Sequence, residues 1–180
     1  MHPPPECIRP DYRGSGKLDS KVALITGGDS GSGWAVAVHF AHAGADVAIV
    51  YEQAEQEDAN QAEGRRCLQL VGYQRNEKFC TDVVQRTLRE LGKLNVLVSN
   101  AGEQFPSDDV AQLPNEQFHD TFAVNFFPLM HLAKAAVPHL HAGDSIIATS
   151  SINAYRGNQQ LVDYSATKGA ITAHIRPIAR

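Results

Sequence analysis

Cysteine, long apolar runs and blocks of one charge are all scarce in this 180-residue chain. Cys7, Cys67 and Cys80 are odd in number and have no paired spacing. That argues against a disulfide framework and fits reduced thiols, hence an expected cytoplasmic setting. No apolar run approaches the roughly 18 residues of a membrane span, so no membrane partner is expected. The opening Met1-His2-Pro3-Pro4-Pro5-Glu6 lacks the basic and apolar regions of a secretory signal. With 16 Lys+Arg against 20 Asp+Glu the formal charge is −4, and no basic block suggests a nucleic-acid partner. What is present is 43% hydrophobic and 20% charged residues, enough to bury the core of one ordinary domain. No internal repeat is evident.

Residues 1–20 are rich in Pro, Gly and charge without periodicity, and read as an extended arm; 21–180 read as a single domain. The continuous apolar run at 22–25 predicts a strand covered on both faces, and 47–50, 67–71 (weaker in composition), 96–98 and 145–149 predict further strands. Between them, 34–43, 54–66, 77–91, a long stretch after Pro114 interrupted near Pro128, and 164–176 predict helices. Phe79, Val83, Leu88 and Leu91 fall on the inward face of the third of these, and Gly44 is placed to cap the first in a left-handed conformation. Strand followed by helix, five times over, specifies right-handed parallel βαβ units. The expected class is α/β, a three-layer, doubly wound parallel sheet of Rossmann-like type.

The turn Thr26-Gly27-Gly28-Asp29-Ser30-Gly31-Ser32-Gly33 lies directly between a strand and a helix. Gly27, Gly31 and Gly33 can adopt positive φ and admit close backbone approach to a pyrophosphate, which the helix N-terminus would attract. A tight turn without ligand is the bland alternative; the strand–turn–helix–strand context favours a dinucleotide. Its ribose would lie at the second strand end, by Tyr51 and Glu52. Glu55, Glu57 and Asp58 follow, and no Lys or Arg occurs between Val22 and Gly64. A 2′-phosphate would meet like charge there, which favours NAD and leaves NADP open.

Tyr164 and Lys168 stand four apart, on one helical face. A free phenol, with pKa near ~10, is a poor proton carrier at neutral pH. Lowering it to neutrality takes roughly 4 kcal/mol, which a fixed cation and an oxidised nicotinamide could supply together. Ser150-Ser151 follows the fifth strand, Asn100-Ala101-Gly102 follows the fourth, and Asn125 sits among apolar residues where its amide needs buried partners.

In order along the chain, these features resemble the short-chain dehydrogenase/reductase family, which carries Thr-Gly-x-x-x-Gly-x-Gly, Asn-Ala-Gly, a helical Asn, a Ser and Tyr-x-x-x-Lys. The arm Asp11-Tyr12-Arg13-Gly14-Ser15-Gly16-Lys17-Leu18, the turn Thr26-Gly27-Gly28-Asp29-Ser30-Gly31 and the run Asp163-Tyr164-Ser165-Ala166-Thr167-Lys168-Gly169-Ala170 are similar to its glucose/ribitol dehydrogenase-like branch. The resemblance implies Tyr164 as general acid/base, Lys168 as its cation and the ribose ligand, and Ser151 rather than Ser150 as the group orienting the substrate oxygen. It implies Asn125 as support for a proton-relay water. Gly27, Asp29, Ser30, Gly31, Gly33, Tyr51, Glu52, Asn100, Ala101, Gly102, Tyr164 and Lys168 would bind the cofactor. The reaction implied is hydride transfer between a nicotinamide and a sugar, polyol or simple carbonyl compound; an inactive nucleotide-binding remnant is the alternative.

The chain departs from the family's pattern at Ser32, Trp34 and Ser99. It also has Gly72-Tyr73-Gln74-Arg75 where the family places an adenine-binding Asp. Family members continue with a sixth strand, a substrate-covering loop and a seventh strand, so the resemblance implies an incomplete catalytic domain here. A homo-oligomer is expected of a full-length relative rather than of this chain. No metal is expected, since His39, His42, His139 and His141 lack partners at ligand spacing. Phe105, Phe118, Phe122, Phe126 and Phe127 are expected mostly in the core, with Phe105 the candidate to face substrate.

Overall fold

The structure is a computed structural model that describes residues 8–9, 11–52 and 64–178. Strands β1 (Val22–Thr26), β2 (Asp46–Tyr51), β3 (Cys67–Val71), β4 (Val96–Ser99) and β5 (Ser145–Ala148) form a parallel sheet in the order β3-β2-β1-β4-β5. The helices are α1 (Gly31–His42), α2 (Glu77–Leu91), α3 (Asn115–Asn125), α4 (Phe127–Ala136), α5 (Asn153–Arg156) and α6 (Val162–Ile178). The expected doubly wound α/β architecture is what the chain adopts.

The unbroken apolar character of β1 follows from burial on both faces. Val22 and Leu24 join Val83 and Val84 of α2 and Leu132 and Ala136 of α4 in one core. Ala23 and Ile25 point the opposite way, into a second core with Val47, Ile49 and Ala37 of α1. Buried residues in this register are worth roughly 1.5–3 kcal/mol each where the side chain is large, so a one-residue slip of β1 is strongly opposed. Strand order reverses at β1, with β2 on one side and β4 on the other; the C-terminal ends of these strands therefore open a crevice, the place where open α/β sheets bind ligands.

Local chemistry sets the helix ends. Asn76 accepts from the backbone N–H groups of Lys78 and Phe79 and so caps α2, which ends at Gly92 with a left-handed φ of 88°. Gly44 takes a φ of 103°, as its position after α1 predicts. The end of the arm docks there: Leu18 N–H donates to the Ala43 carbonyl, and the Tyr12 ring packs edge-on to His39 and His42.

Several expectations need correction. Helix α1 begins at Gly31, not Trp34, because the glycines that disguise its first turn in the sequence are tolerated there. Gly33 is therefore helical rather than left-handed. The predicted helix at 54–66 lies mostly outside the described residues, and 64–66 are not helical. The stretch after Pro114 is two helices broken at Phe126, with Pro128 in the first turn of α4. Phe105 and Phe127 are exposed rather than in the core. No helix among the described residues is long and apolar enough to cross a membrane.

Candidate functional site

The β1–α1 turn uses its glycines for two different reasons. Gly27 and Gly31 have φ of 63° and 52°, the left-handed region that costs other residues about 1–2 kcal/mol. Gly33 is needed for space: a Cβ there would lie 1.9 Å from the Gly27 carbonyl oxygen and 2.6 Å from Asn100 Nδ2. Ser30 occupies the extended N-cap position of α1 yet makes no side-chain cap hydrogen bond. The backbone N–H groups of the first turn, unlike those of α2, thus keep their capacity for an anion.

This turn forms one wall of a cleft of about 520 Å³ above the sheet. Of the residues singled out in the sequence, Gly27, Asp29, Ser30 and Gly31 line it from the turn, and Tyr51 and Glu52 from the end of β2. Asn100, Ala101 and Gly102 line it from the segment after β4. The hydroxyl of Tyr51 is committed elsewhere, donating to Gln69 Oε1 at 2.9 Å, and burial pushes the phenol's pKa up. Tyr51 thus lines the cleft with its hydroxyl turned toward β3. A dinucleotide fits this set of groups: glycines admitting close approach, an uncapped helix N-terminus and an acid at the end of β2.

Asn100 and Thr26 lock the two sides of the crevice. Thr26 Oγ1 accepts from the backbone N–H groups of Asn100 (3.0 Å) and Ala101 (3.1 Å). Asn100 Nδ2 donates to the Thr26 carbonyl, and its Oδ1 accepts from Thr149 Oγ1. The ends of β1 and β4 and the segment after β5 are thereby held to one another.

Asn125, Ser151, Tyr164 and Lys168 are not among the residues that line the cleft; Lys168 stands behind Gly102, with Tyr164 beside it. Lys168 Nζ lies 5.4 Å from the Tyr164 ring centroid and donates to the Thr149 carbonyl at 2.9 Å. The lysine is 3% exposed, and burial lowers its pKa from the ordinary value. A Cβ on Gly102 would sit 3.5 Å from Lys168 Nζ, an ordinary contact, and 3.1 Å from Asn125 Oδ1, which would have to give way slightly. Asn125, fully buried, accepts from Glu103 N–H at 2.8 Å and donates to the Glu103 carbonyl and to Thr167 Oγ1. Its amide ties the segment after β4 to α6.

The two serines diverge. Ser150 Oγ is bonded to Thr172 Oγ1 at 2.8 Å and to the Lys168 carbonyl, both on α6. Among the described residues Ser151 Oγ accepts only from Asn153 N–H, at 3.2 Å, which leaves its proton available to a ligand oxygen.

Sequence reasoning missed Glu103 and Asp163. Glu103 also lines the cleft. Burial raises the pKa of its carboxyl, opposed by its ion pair with Arg75 and reinforced by Glu52 and Asp120. Its position directly after Asn-Ala-Gly was the available signal. Asp163, 1% exposed, accepts from Thr121 Oγ1, Gln117 Nε2 and the Tyr164 N–H, fixing the start of α6 against α3. Gln74 lines the cleft as well, after β3.

The short chain dehydrogenase family pattern matches residues 21–180. General stress protein 39 of Bacillus subtilis is 48% identical over 100% of this chain and 65% of its own length. The glucose and ribitol dehydrogenase of Daucus carota is 37% identical over 99% of this chain and 65% of its own length. A Burkholderia cenocepacia short chain dehydrogenase crystallised with NADP superposes with a TM-score of 0.82 at 32% identity, over 91% of this chain and 69% of that one. The chain thus spans about 65% of the length of these curated relatives. On the matched pattern, the shared fold and the sequence identity, the chain belongs to the short-chain dehydrogenase/reductase family.

Proposed function

We propose that this chain forms the dinucleotide-binding and proton-transfer part of an NAD(P)-dependent oxidoreductase. It would interconvert a carbonyl compound and an alcohol of the sugar, polyol or simple aldehyde and ketone class. The observation that carries this reading is the placement of Lys168 beside Tyr164 and behind Gly102, a residue that lines the same cleft as the uncapped start of α1. The nicotinamide coenzyme, when bound, supplies the hydride acceptor or donor.

Each residue then has a physical task. The first-turn N–H groups of α1, reached past Gly27 and Gly31, would hold the pyrophosphate with Ser30 and Asp29 beside them. Tyr164 gives or takes the proton at the substrate oxygen, beside the Lys168 ammonium. Ser151, with its hydroxyl proton uncommitted, orients that oxygen. Asn125 works by holding the Glu103 backbone and Thr167, which sets Gly102 and Lys168 at a fixed separation. Glu52 on the cleft wall would accept from the ribose hydroxyls and repel a 2′-phosphate, and no Lys or Arg lines the cleft among the described residues. This supports NAD over NADP, although the Burkholderia relative was crystallised with NADP. We place the protein among cytoplasmic enzymes of small-molecule substrates.

A second reading, nucleotide binding without turnover, is favoured by the lining of the cleft, which includes the glycine turn, the end of β2 and the segment after β4 but none of Ser151, Tyr164 and Lys168. Titration with NADH and NADPH followed by a polyol and aldehyde panel separates the two. Turnover that falls about 10²–10⁴-fold in Tyr164→Phe, with NADH affinity retained, supports the enzyme. Wild-type turnover in that variant refutes the assigned chemistry, and absence of any dinucleotide binding refutes both readings.

A further inference from the structure

Gln117 of α3 stands between the segment that follows Asn-Ala-Gly and the helix that carries Tyr164. Its Nε2 donates to the Phe105 carbonyl at 3.0 Å and to Asp163 Oδ2 at 3.2 Å. Both partners only accept, so the amide must present its nitrogen here, and both of its protons are used. The other oxygen of Asp163 accepts from the Tyr164 N–H at 2.8 Å. Three hydrogen bonds in series thus run from the Phe105 backbone to the Tyr164 peptide. A parallel tie joins the same two elements: Ser107 N–H donates to the Gln160 carbonyl at 2.8 Å, just ahead of α6.

Holding α3 to α6 does not require this arrangement. Thr121 Oγ1 already makes that joint, donating to Asp163 Oδ2 at 2.6 Å. The proton that Gln117 gives to Phe105 adds nothing to it and acts on a different element. The Phe105 ring is exposed, so only the backbone of that segment is being held. Glu103, two residues earlier, lines the cleft, whereas Gln117 does not.

We propose that Gln117 is a positioning residue, whose amide couples segment 103–107 to the start of α6 and so fixes the separation between the cleft wall and the Tyr164 phenol. This rests on the proposed function and adds a residue that acts there only through others. A displacement of about 1 Å at a reacting group costs about 10²-fold in rate, so a coupling of this kind acts on turnover more than on coenzyme affinity.

Exchanging polarity separates the two bonds of Gln117. In Gln117→Glu a carboxylate faces both Asp163 and the Phe105 carbonyl, and both bonds are lost. Adding Asp163→Asn restores one of them. The amide introduced at 163 keeps its oxygen on the Tyr164 N–H and donates to Thr121 Oγ1 and to the new carboxylate, while the Phe105 carbonyl still lacks a donor.

The experiment takes the whole chain and measures melting temperature, NADH affinity, hydrogen exchange at Ser107 N–H and NADH oxidation by glyceraldehyde. Gln117→Glu should melt lower than wild type, and the double variant should recover most of the loss. In both, Ser107 should exchange at least about tenfold faster than in wild type, and turnover should fall by about tenfold or more, with NADH dissociation constants within about twofold of wild type. Wild-type exchange at Ser107 in the double variant overturns the inference, as does turnover that returns together with the melting temperature; Gln117 is then a structural joint alone. Should the charged variants fail to fold, Gln117→Met removes both bonds without adding charge and carries the test on the same exchange and turnover readouts. A wild-type chain that binds NADH without oxidising it counts against the functional reading, and exchange at Ser107 then settles the coupling by itself.

Discussion

Lys168 Nζ donates to the Thr149 carbonyl oxygen at 2.9 Å, which anchors the cation of α6 on the residue that follows β5. The contact fixes the ammonium beside the Tyr164 ring, but a single carbonyl does not replace the water the amine has lost, and burial lowers its pKa. Between that lowered value and the ordinary 10.5, the unfolded chain binds the proton that the folded chain has released, so stability rises with pH through the window. At neutral pH the charged lysine therefore costs stability. Lys168→Met, of similar length and without charge, is expected to melt at or above the wild-type temperature at pH 7 while turnover falls by 10²-fold or more. A clear drop in melting temperature would show the lysine to be a structural element rather than a site group held at a cost.

Asp46 behaves in the opposite sense. Burial pushes its carboxyl pKa up, but the Arg66 backbone N–H, the Arg66 guanidinium at 2.7 Å and Arg65 outweigh this and hold it below 3.8. Its contribution is therefore present above about pH 4 and disappears as pH falls through the lowered folded value. Asp46→Asn should cost about 1–3 kcal/mol in urea melts at pH 7, because β2 and the segment leading into β3 lose a charge-assisted joint. The difference from wild type should shrink as pH falls through the lowered folded value; a constant difference would mean that packing, not charge, is responsible.

The glycine turn offers a comparison in which two substitutions of equal size have different causes. At Gly31 a Cβ meets nothing within 4 Å, and the obstacle is the φ of 52° alone, about 1–2 kcal/mol. At Gly33 the backbone is helical and the obstacle is the Gly27 carbonyl 1.9 Å away. Gly33→Ala must displace the turn itself, so it should lose at least tenfold in NADH affinity together with stability. Gly31→Ala should lose mainly stability. Equal NADH affinities in the two variants would contradict this division.

How much of this was legible in the sequence depends on the range of the interactions involved. Strand β3 and helix α2 fall where composition places them, because apolar periodicity and the Asn76 and Gly92 caps are local signals. The start of α1 was hidden for a local reason of the opposite kind: Gly31 and Gly33 are poor helix formers, required by a φ of 52° at the first and by the nearby Gly27 carbonyl at the second. The Tyr164–Lys168 pair and the Asn-Ala-Gly segment were readable as motifs, and the cleft brings the latter to the glycine turn. The tasks of Asn125 and Asp163 were not readable. Their partners, Glu103 and Thr167 for one and Gln117 and Thr121 for the other, lie 22 to 46 residues away, and nothing in local spacing specifies them. Ser150 and Ser151 are alike as sequence and separate only when Thr172 is seen to claim the first.

Thr26 gives the sharpest test of the crevice, because valine preserves its shape almost atom for atom. The side chain is 1% exposed, and its Oγ1 is the acceptor for both the Asn100 and the Ala101 N–H groups. Thr26→Val leaves two backbone donors without a partner where the segment after β4 turns over the sheet, a loss of about 2 kcal/mol or more. Thr26→Ser keeps the oxygen and removes one methyl group, at about 0.8 kcal/mol. Hydrophobicity alone would rank valine above serine at so buried a position; the hydrogen-bond geometry reverses the order. Urea melts should place serine nearer wild type than valine, and NADH affinity should follow the same ranking, since Asn100, Ala101 and Gly102 form one wall of the cleft. If valine proves the more stable variant, the two N–H groups find other partners and the crevice is not held together by this residue.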